Sequence, residues 1–345
     1  MSSPTPLKFL MPGWFATVMG LCGLALAWYR AQGLLGEMAG AVSLLIGLLA
    51  AAVAVVLLAA SLLRWQRYPQ ALAEDLKHPA RHAFVAALPV SVLLLATVGV
   101  MHDGPAGTLA GLWHTLWWLG SLAQLWATLW VLGRWLAPVA LVPAGANPGG
   151  LWPSVTPVLL IPVVGNVVVP LAGQPLGYPL WSIAQFGIGA FLWPVVIGLV
   201  LVRRLAHSPL PDRLLPAWFI TIAPPTVIGL VLLQMQAPLP VVAGLWGVAL
   251  FFLLWLLPLA RRIAGQPFGV PFWGLSFPLA ALATLTLRLS AARPDLGLLQ
   301  TFAVLMLAAS SMVILWLCFA TVRGLRDGTL LAPEPVAMIA PVSGG

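Results

Sequence analysis

The chain has 345 residues, 61% of them hydrophobic and only 7% charged, with a mean hydropathy of +1.02. Soluble domains carry about 25% charged residues, so water is excluded as the solvent for most of this surface. The net charge of +8 does not signal nucleic acid, because the basic residues are scattered at the ends of apolar segments, the pattern that sets membrane topology.

A helix needs about 20 apolar residues to cross the hydrocarbon core. In chain order such segments are predicted at about 10–29, 38–63, 83–101, 108–133, 154–173, 180–202, 214–235, 240–260, 271–290 and 297–322. The expectation is an all-α integral membrane protein with ten transmembrane helices in a single domain, 1–345. The first segment is roughly twice the length of a signal-peptide core, so it is predicted to span rather than to be cleaved. Between Trp135 and Val202 there is no Asp, Glu, Lys, Arg or His, as expected of chain buried in lipid or in other helices. The odd-numbered segments begin near 10, 83, 154, 214 and 271. That spacing predicts five successive helical hairpins, although no strong sequence repeat accompanies it.

Sorted by loop, thirteen of the 16 Lys and Arg fall on one side, and only Arg30, Arg288 and Arg293 on the other. The positive-inside rule then places both termini in the cytoplasm of a multi-pass protein of the cell (inner) membrane, as an even number of spans also requires.

Prolines separate the spans into two kinds. Pro89, Pro157, Pro162, Pro170, Pro224, Pro225 and Pro278 lie inside odd-numbered spans, with Pro12 and Gly13 near the start of the first; among even-numbered spans only Pro194 is interior. An interior proline removes a backbone hydrogen bond and kinks a helix, and in lipid the freed carbonyl needs protein or cavity water. The alternation predicts an inner ring of five kinked helices forming a pore and an outer ring of five straighter ones. The plainer reading is that the prolines only adjust packing.

None of the eight acidic residues lies inside a span. Cation and proton pathways usually carry intramembrane carboxylates, so the pattern argues for anions. Carbonyls freed at the kinks would attract cations, and hydroxyls, helix N-termini or water would have to offset them. Asn166, between Pro162 and Pro170, either lines the pore or hydrogen-bonds a neighbouring helix. Arg288, near the outer end of the ninth span, either snorkels to headgroups or draws anions to an outer vestibule. The tryptophans of the fourth span, around His114, are expected to face lipid or another subunit. Cys22 and Cys318 read as small apolar residues. His78 and His82 are four apart, but Lys77 and Arg81 beside them argue against a metal site. No phosphate loop, carboxylate pair or metal cluster is present, so neither enzyme activity nor a cofactor is expected.

Five segments in order resemble the tellurite-resistance/dicarboxylate transporter family, which includes bacterial TehA and the plant guard-cell slow anion channels. They are PGWFATVMG (Pro12 to Gly20), KHPARHAF (Lys77 to Phe84), LLIPVVGNVVVPLAG (Leu159 to Gly173), PAWFITIAPPTVIG (Pro216 to Gly229) and PFWGLSFPLAALATLTLR (Pro271 to Arg288). The resemblance implies a homotrimer of independent pores, each lined by five kinked helices and closed by a phenylalanine of the ninth span. That gate falls on Phe277, just before Pro278. The long regulatory extensions of the plant members are not expected here. The leading function is a channel for small inorganic anions such as chloride or nitrate, with membrane lipid as its surroundings. The alternative is a secondary exporter of C4-dicarboxylate, sulfite or tellurite, which would require a discrete basic substrate site. A membrane transferase would need embedded His, Asp or Glu, and a purely structural protein would not need the proline alternation.

Overall fold

The computed structural model describes residues 6–136, 152–207 and 209–332. Among them there is no strand. The long helices are α1 (Pro12–Arg30), α2 (Glu37–Arg67), α3 (His82–Asp103), α4 (Ala110–Gly133), α5 (Pro157–Gly173), α6 (Pro179–Ala206), α7 (Asp212–Gln234), α8 (Leu239–Leu256), α9 (Val270–Ala292) and α10 (Gly297–Arg326).

Eight of these are long and apolar enough to cross a membrane; α4 and α5 fall outside that set. α4 has the length, at 24 residues, but five tryptophans, His114 and Gln124 dilute its apolar character. α5 extends only from Pro157 to Gly173 and is interrupted at Val169, before Pro170. A helix of that length reaches about 25 Å at 1.5 Å per residue, short of a hydrocarbon core about 30 Å thick.

Burial alternates along the chain. At least 72% of the most apolar stretch of α1, α3, α7 and α9 is buried, against at most 33% of that of α2, α6, α8 and α10. Every residue of α5 from Pro157 to Pro170 is buried as well. α1 packs against α3, α3 against α5, α5 against α7, α7 against α9, and α9 back against α1. Each of these also packs against the helix that follows it. The even-numbered helices carry the exposed leucines, valines and aromatics, such as Leu45, Phe191, Leu254 and Leu315. Apolar side chains exposed in this density suit lipid and would be an aggregation hazard in water.

The helices approach closely where glycines permit it. A Cβ on Gly20 of α1 would lie 2.2 Å from Ser276 Oγ of α9, and one on Gly23 would lie 3.0 Å from the Phe277 ring. Small residues at such crossings let helix backbones pack where the hydrophobic effect supplies no drive.

Candidate functional site

The five buried helices share a construction that the sequence reading did not resolve. Each opens with a 3-10 segment: Pro12–Phe15, His82–Ala86, Pro157–Leu159, Asp212–Ile222 and Val270–Leu275. Each then becomes α-helical, at Ala16, Ala87, Leu160, Ala223 and Ser276. In four of the five, the third residue of the α-helical part is a proline: Pro89, Pro162, Pro225 and Pro278. A proline there cannot donate to the carbonyl four residues earlier. The α-helical ladder therefore stops at the junction, and the chain before it winds more tightly. In α1 the proline is instead Pro12, at the head of its 3-10 segment, and Pro224 is the second α-helical residue of α7. The discontinuities thus lie toward the start of each buried helix rather than at its middle. By contrast, α6 continues unbroken through Pro194.

Carbonyls at these junctions are occupied by hydroxyls. Thr17 donates to Trp14 O at 2.8 Å, Thr221 to Trp218 O at 2.8 Å, Thr226 to Ile222 O at 2.7 Å and Ser276 to Trp273 O at 2.6 Å. Ser91 of α3 donates to Phe15 O of α1 at 3.0 Å. The carbonyl of Pro162 accepts from Gln124 at 2.8 Å, Thr128 at 3.0 Å and Asn166 at 2.8 Å. Side-chain donors thus offset part of the negative charge beside the junctions, although none of these acceptors is a carbonyl four residues before one of the four prolines.

Inside the junctions lies a cavity of about 30 Å³, with room for roughly one or two waters. Its wall takes residues from all five buried helices: Ala16 and Met19 of α1, Phe84 of α3, Ile161 and Val164 of α5, Ile220 and Ala223 of α7, and Trp273, Phe277 and Pro278 of α9. No charged side chain contributes. Phe277 is 5% exposed, and its ring lies against Gly23. Phe84 is a second phenylalanine of this wall and lies beside Gly13. The sequence reading passed over it; the only available signal was its place at the end of KHPARHAF.

The remaining sequence candidates lie elsewhere. Asn166 is fully buried and turns toward α4, donating to Thr128 Oγ1 at 2.8 Å; it is not part of the cavity wall. Pro89 and Pro170 are likewise buried but outside that wall. Arg288 is eleven residues beyond Phe277, about 16 Å along the helix. It is half-buried and donates to Leu230 O of α7 at 3.2 Å, with the Arg30 guanidinium within electrostatic range. Arg293 pairs with Asp295 at 2.7 Å, and this bond holds the Asp295 carboxyl below its ordinary range.

Trp117 departs from the lipid-facing expectation. It is fully buried, stacks on Tyr178 and donates to Val169 O at 2.9 Å, at the interruption of α5. Trp126, 58% exposed, does face outward. His78 Nδ1 accepts from the backbone N–H of Ala80 and Arg81. Among the described residues no three His, Cys, Asp or Glu side chains converge as a metal site.

Apolar helices of spanning length, with buried members that together wall an apolar cavity, define a multi-pass membrane protein. The family model described as voltage-dependent anion channel matches residues 10–322, and the chain belongs to this SLAC1 family. The family is one of channels and transporters rather than enzymes. The chain is 25% identical over 225 residues to the S-type anion channel SLAH2 of Arabidopsis thaliana, covering 64% of this chain and 40% of that protein. It therefore spans less than half the length of that relative. It is 25% identical over 309 residues to the uncharacterized transporter MJ0576 of Methanocaldococcus jannaschii, covering 80% and 82% of the two chains. To the tellurite resistance protein TehA homolog of Haemophilus influenzae it is 25% identical over 287 residues, covering 82% and 81%.

Proposed function

We propose that this protein is an anion channel of the cell membrane, a homotrimer with cytoplasmic termini and no enzymatic activity, whose path runs between α1, α3, α5, α7 and α9. Each chain forms one pore of ten spans in five hairpins, with the even-numbered helices shielding it. Chloride- and nitrate-sized ions are its substrates, and Phe277 closes it. The observation that carries this reading is the apolar cavity to which all five buried helices contribute and in whose wall Phe277 stands. The cyclic packing of those helices supports it, as do the hydroxyls that occupy carbonyls beside the junctions and reduce the negative charge a cation would meet there. A channel needs ions to bind weakly enough to leave, and the absence of any charged group in the cavity wall suits rapid passage.

Bilayer recording from purified protein under anion and cation gradients tests this. The reversal potential is expected to follow the chloride gradient, with nitrate passing about as readily. Potassium permeability comparable with that of chloride would overturn the selectivity. A coupled exporter of dicarboxylate, sulfite or tellurite would give saturating substrate flux with little current.

Arg288 is proposed to raise the local anion concentration at the mouth opposite the cavity. Arg288→Ala should lower conductance most at low salt, where the Debye length reaches about 30 Å at 0.01 M against 10 Å at 0.1 M. Arg288→Lys should retain most of it. A loss independent of ionic strength would point instead to the bond with Leu230 O, which ties α9 to α7.

A further inference from the structure

α1 and α9 run side by side in the same direction, with Gly20 against Ser276 and Gly23 against Phe277. That register carries forward to their far ends, where each helix bears an arginine. Arg30 stands eleven residues beyond Met19, and Arg288 eleven beyond Phe277. Both stretches are α-helical, and eleven residues make about three turns. Each arginine therefore leaves its helix on the same face as a residue of the apolar cavity wall. The two side chains share one level, roughly 16 Å beyond that cavity, and face the axis that the five buried helices surround. α7 repeats the spacing, with Gln234 eleven beyond its wall residue Ala223. The Gln234 amide is neutral and donates to Pro170 O at 3.2 Å.

Both arginines are half-buried, and their guanidiniums lie within electrostatic range of each other. Arg288 uses one of its donors on Leu230 O of α7. Arg30 lies over the Tyr29 ring at 5.7 Å and makes no hydrogen bond or ion pair among the described residues. The carboxylates of this end of the bundle are committed elsewhere or point away. Asp103 accepts from Thr108, Leu109 and Trp113, and Asp295 pairs with Arg293. Glu37, at the start of α2, is exposed and pairs with neither arginine. Two like charges held together in partial burial destabilise one another, and no acidic side chain offsets them. Snorkelling would turn each arginine outward to headgroups, whereas Arg288 is tied to α7 on one side and faces the α1 arginine on the other.

We propose that Arg30 and Arg288 together form an anion-binding site at the mouth opposite the apolar cavity, with a nitrate-type oxoanion as its ligand. The site deepens the proposed anion path and rests on it. A guanidinium presents parallel N–H groups that fit two oxygens of one planar anion, so nitrate gains more from the pair than a monatomic ion does. Half-burial leaves water beside the ion, so it is held weakly enough to move on.

Binding is read without current, so failure of the site is distinguishable from failure of conduction. The full chain, purified in detergent, is titrated with sodium nitrate and separately with sodium chloride while its thermal unfolding midpoint is followed. Gluconate holds ionic strength constant. A saturable rise is expected with nitrate, at a lower half-saturating concentration than with chloride. Arg30→Gln removes one charge from a side chain that makes no hydrogen bond in the protein. It should raise the nitrate-free midpoint, because the repulsion is gone, and raise the half-saturating nitrate concentration about tenfold. Arg30→Lys keeps the charge without the fork, so nitrate should lose its advantage over chloride. Arg288→Gln should weaken the nitrate response from the other side of the pair. No saturable rise in the parent, or a nitrate response unchanged in both Gln variants, overturns the site, even where the same protein conducts chloride in bilayers.

Discussion

Phe277→Ala is expected to open a constitutive anion current. The phenyl ring lies against Gly23 of α1 and walls the apolar cavity, so on the proposed path it would form a constriction with no polar side chain to replace an ion's water. An ion stripped of hydration there meets a prohibitive Born cost, and a narrow apolar neck also excludes water itself. Truncation to a methyl widens the neck and lets hydration continue through it. Pro278 follows immediately, at a junction where the α-helical ladder is already interrupted, so the backbone beside the ring can yield with little loss of hydrogen bonding. Phe277→Leu should leak less than Phe277→Ala, because more of the plug remains. If Phe277 only packs, Phe→Ala would cost about 3–5 kcal/mol of stability and bring no current. The measurement is current per correctly assembled protein. Folded Phe277→Ala that conducts no better than the parent would place the closure elsewhere, and Phe84, across the same cavity, would be the next residue to change.

The largest loss of stability is expected from Asp75→Ala. Its carboxylate is 4% exposed and receives the guanidinium groups of Arg64, 5% exposed, and Arg81, 31% exposed. Arg64 also donates to Lys8 O at 3.0 Å and Ala71 O at 3.3 Å, joining the end of α2 to the chain before α1 and to the short helix Pro69–Lys77. Removing the carboxylate strands a buried positive charge, which costs about 3–5 kcal/mol when one partner of a buried pair is lost. Thermal unfolding of the detergent-solubilised protein should show a large fall in midpoint. Replacing both partners with apolar side chains, as in Arg64→Met with Asp75→Leu, should recover part of the loss, because no buried charge is then left uncompensated while Arg81 retains access to water. A double variant no better than Asp75→Ala would show that geometry rather than charge pairing is what Asp75 supplies.

The parts of this protein legible from sequence are those set by local chemistry. Membrane class followed from the scarcity of charge, because no arrangement of the chain could give so apolar a surface to water. The division between buried and exposed helices was foreshadowed by proline, because a missing N–H is tolerated where neighbouring protein can satisfy the freed carbonyl. Burial follows that alternation. α5 is the shortest of the spans, interrupted before Pro170, and in α4 tryptophan is a poor marker of exposure: Trp126 faces outward while Trp117 is entirely enclosed.

What only the tertiary structure decided are relations between residues far apart in the chain. Asn166 could have faced a pore or a neighbour, and the choice was made by Thr128, 38 residues away on α4, which accepts its amide. Phe84 and Phe277 meet one cavity although 193 positions separate them. The prolines are individually visible in the sequence, but their common place at the third residue of four of the five α-helical parts appears only once the 3-10 segments are seen, because winding depends on which hydrogen bonds the packed backbone can close. Hydropathy and backbone chemistry act over one turn or one span, and the sequence states them directly. Which side chain completes which carbonyl, carboxylate or cavity depends on how the helices pack, and that is written in contacts rather than in order.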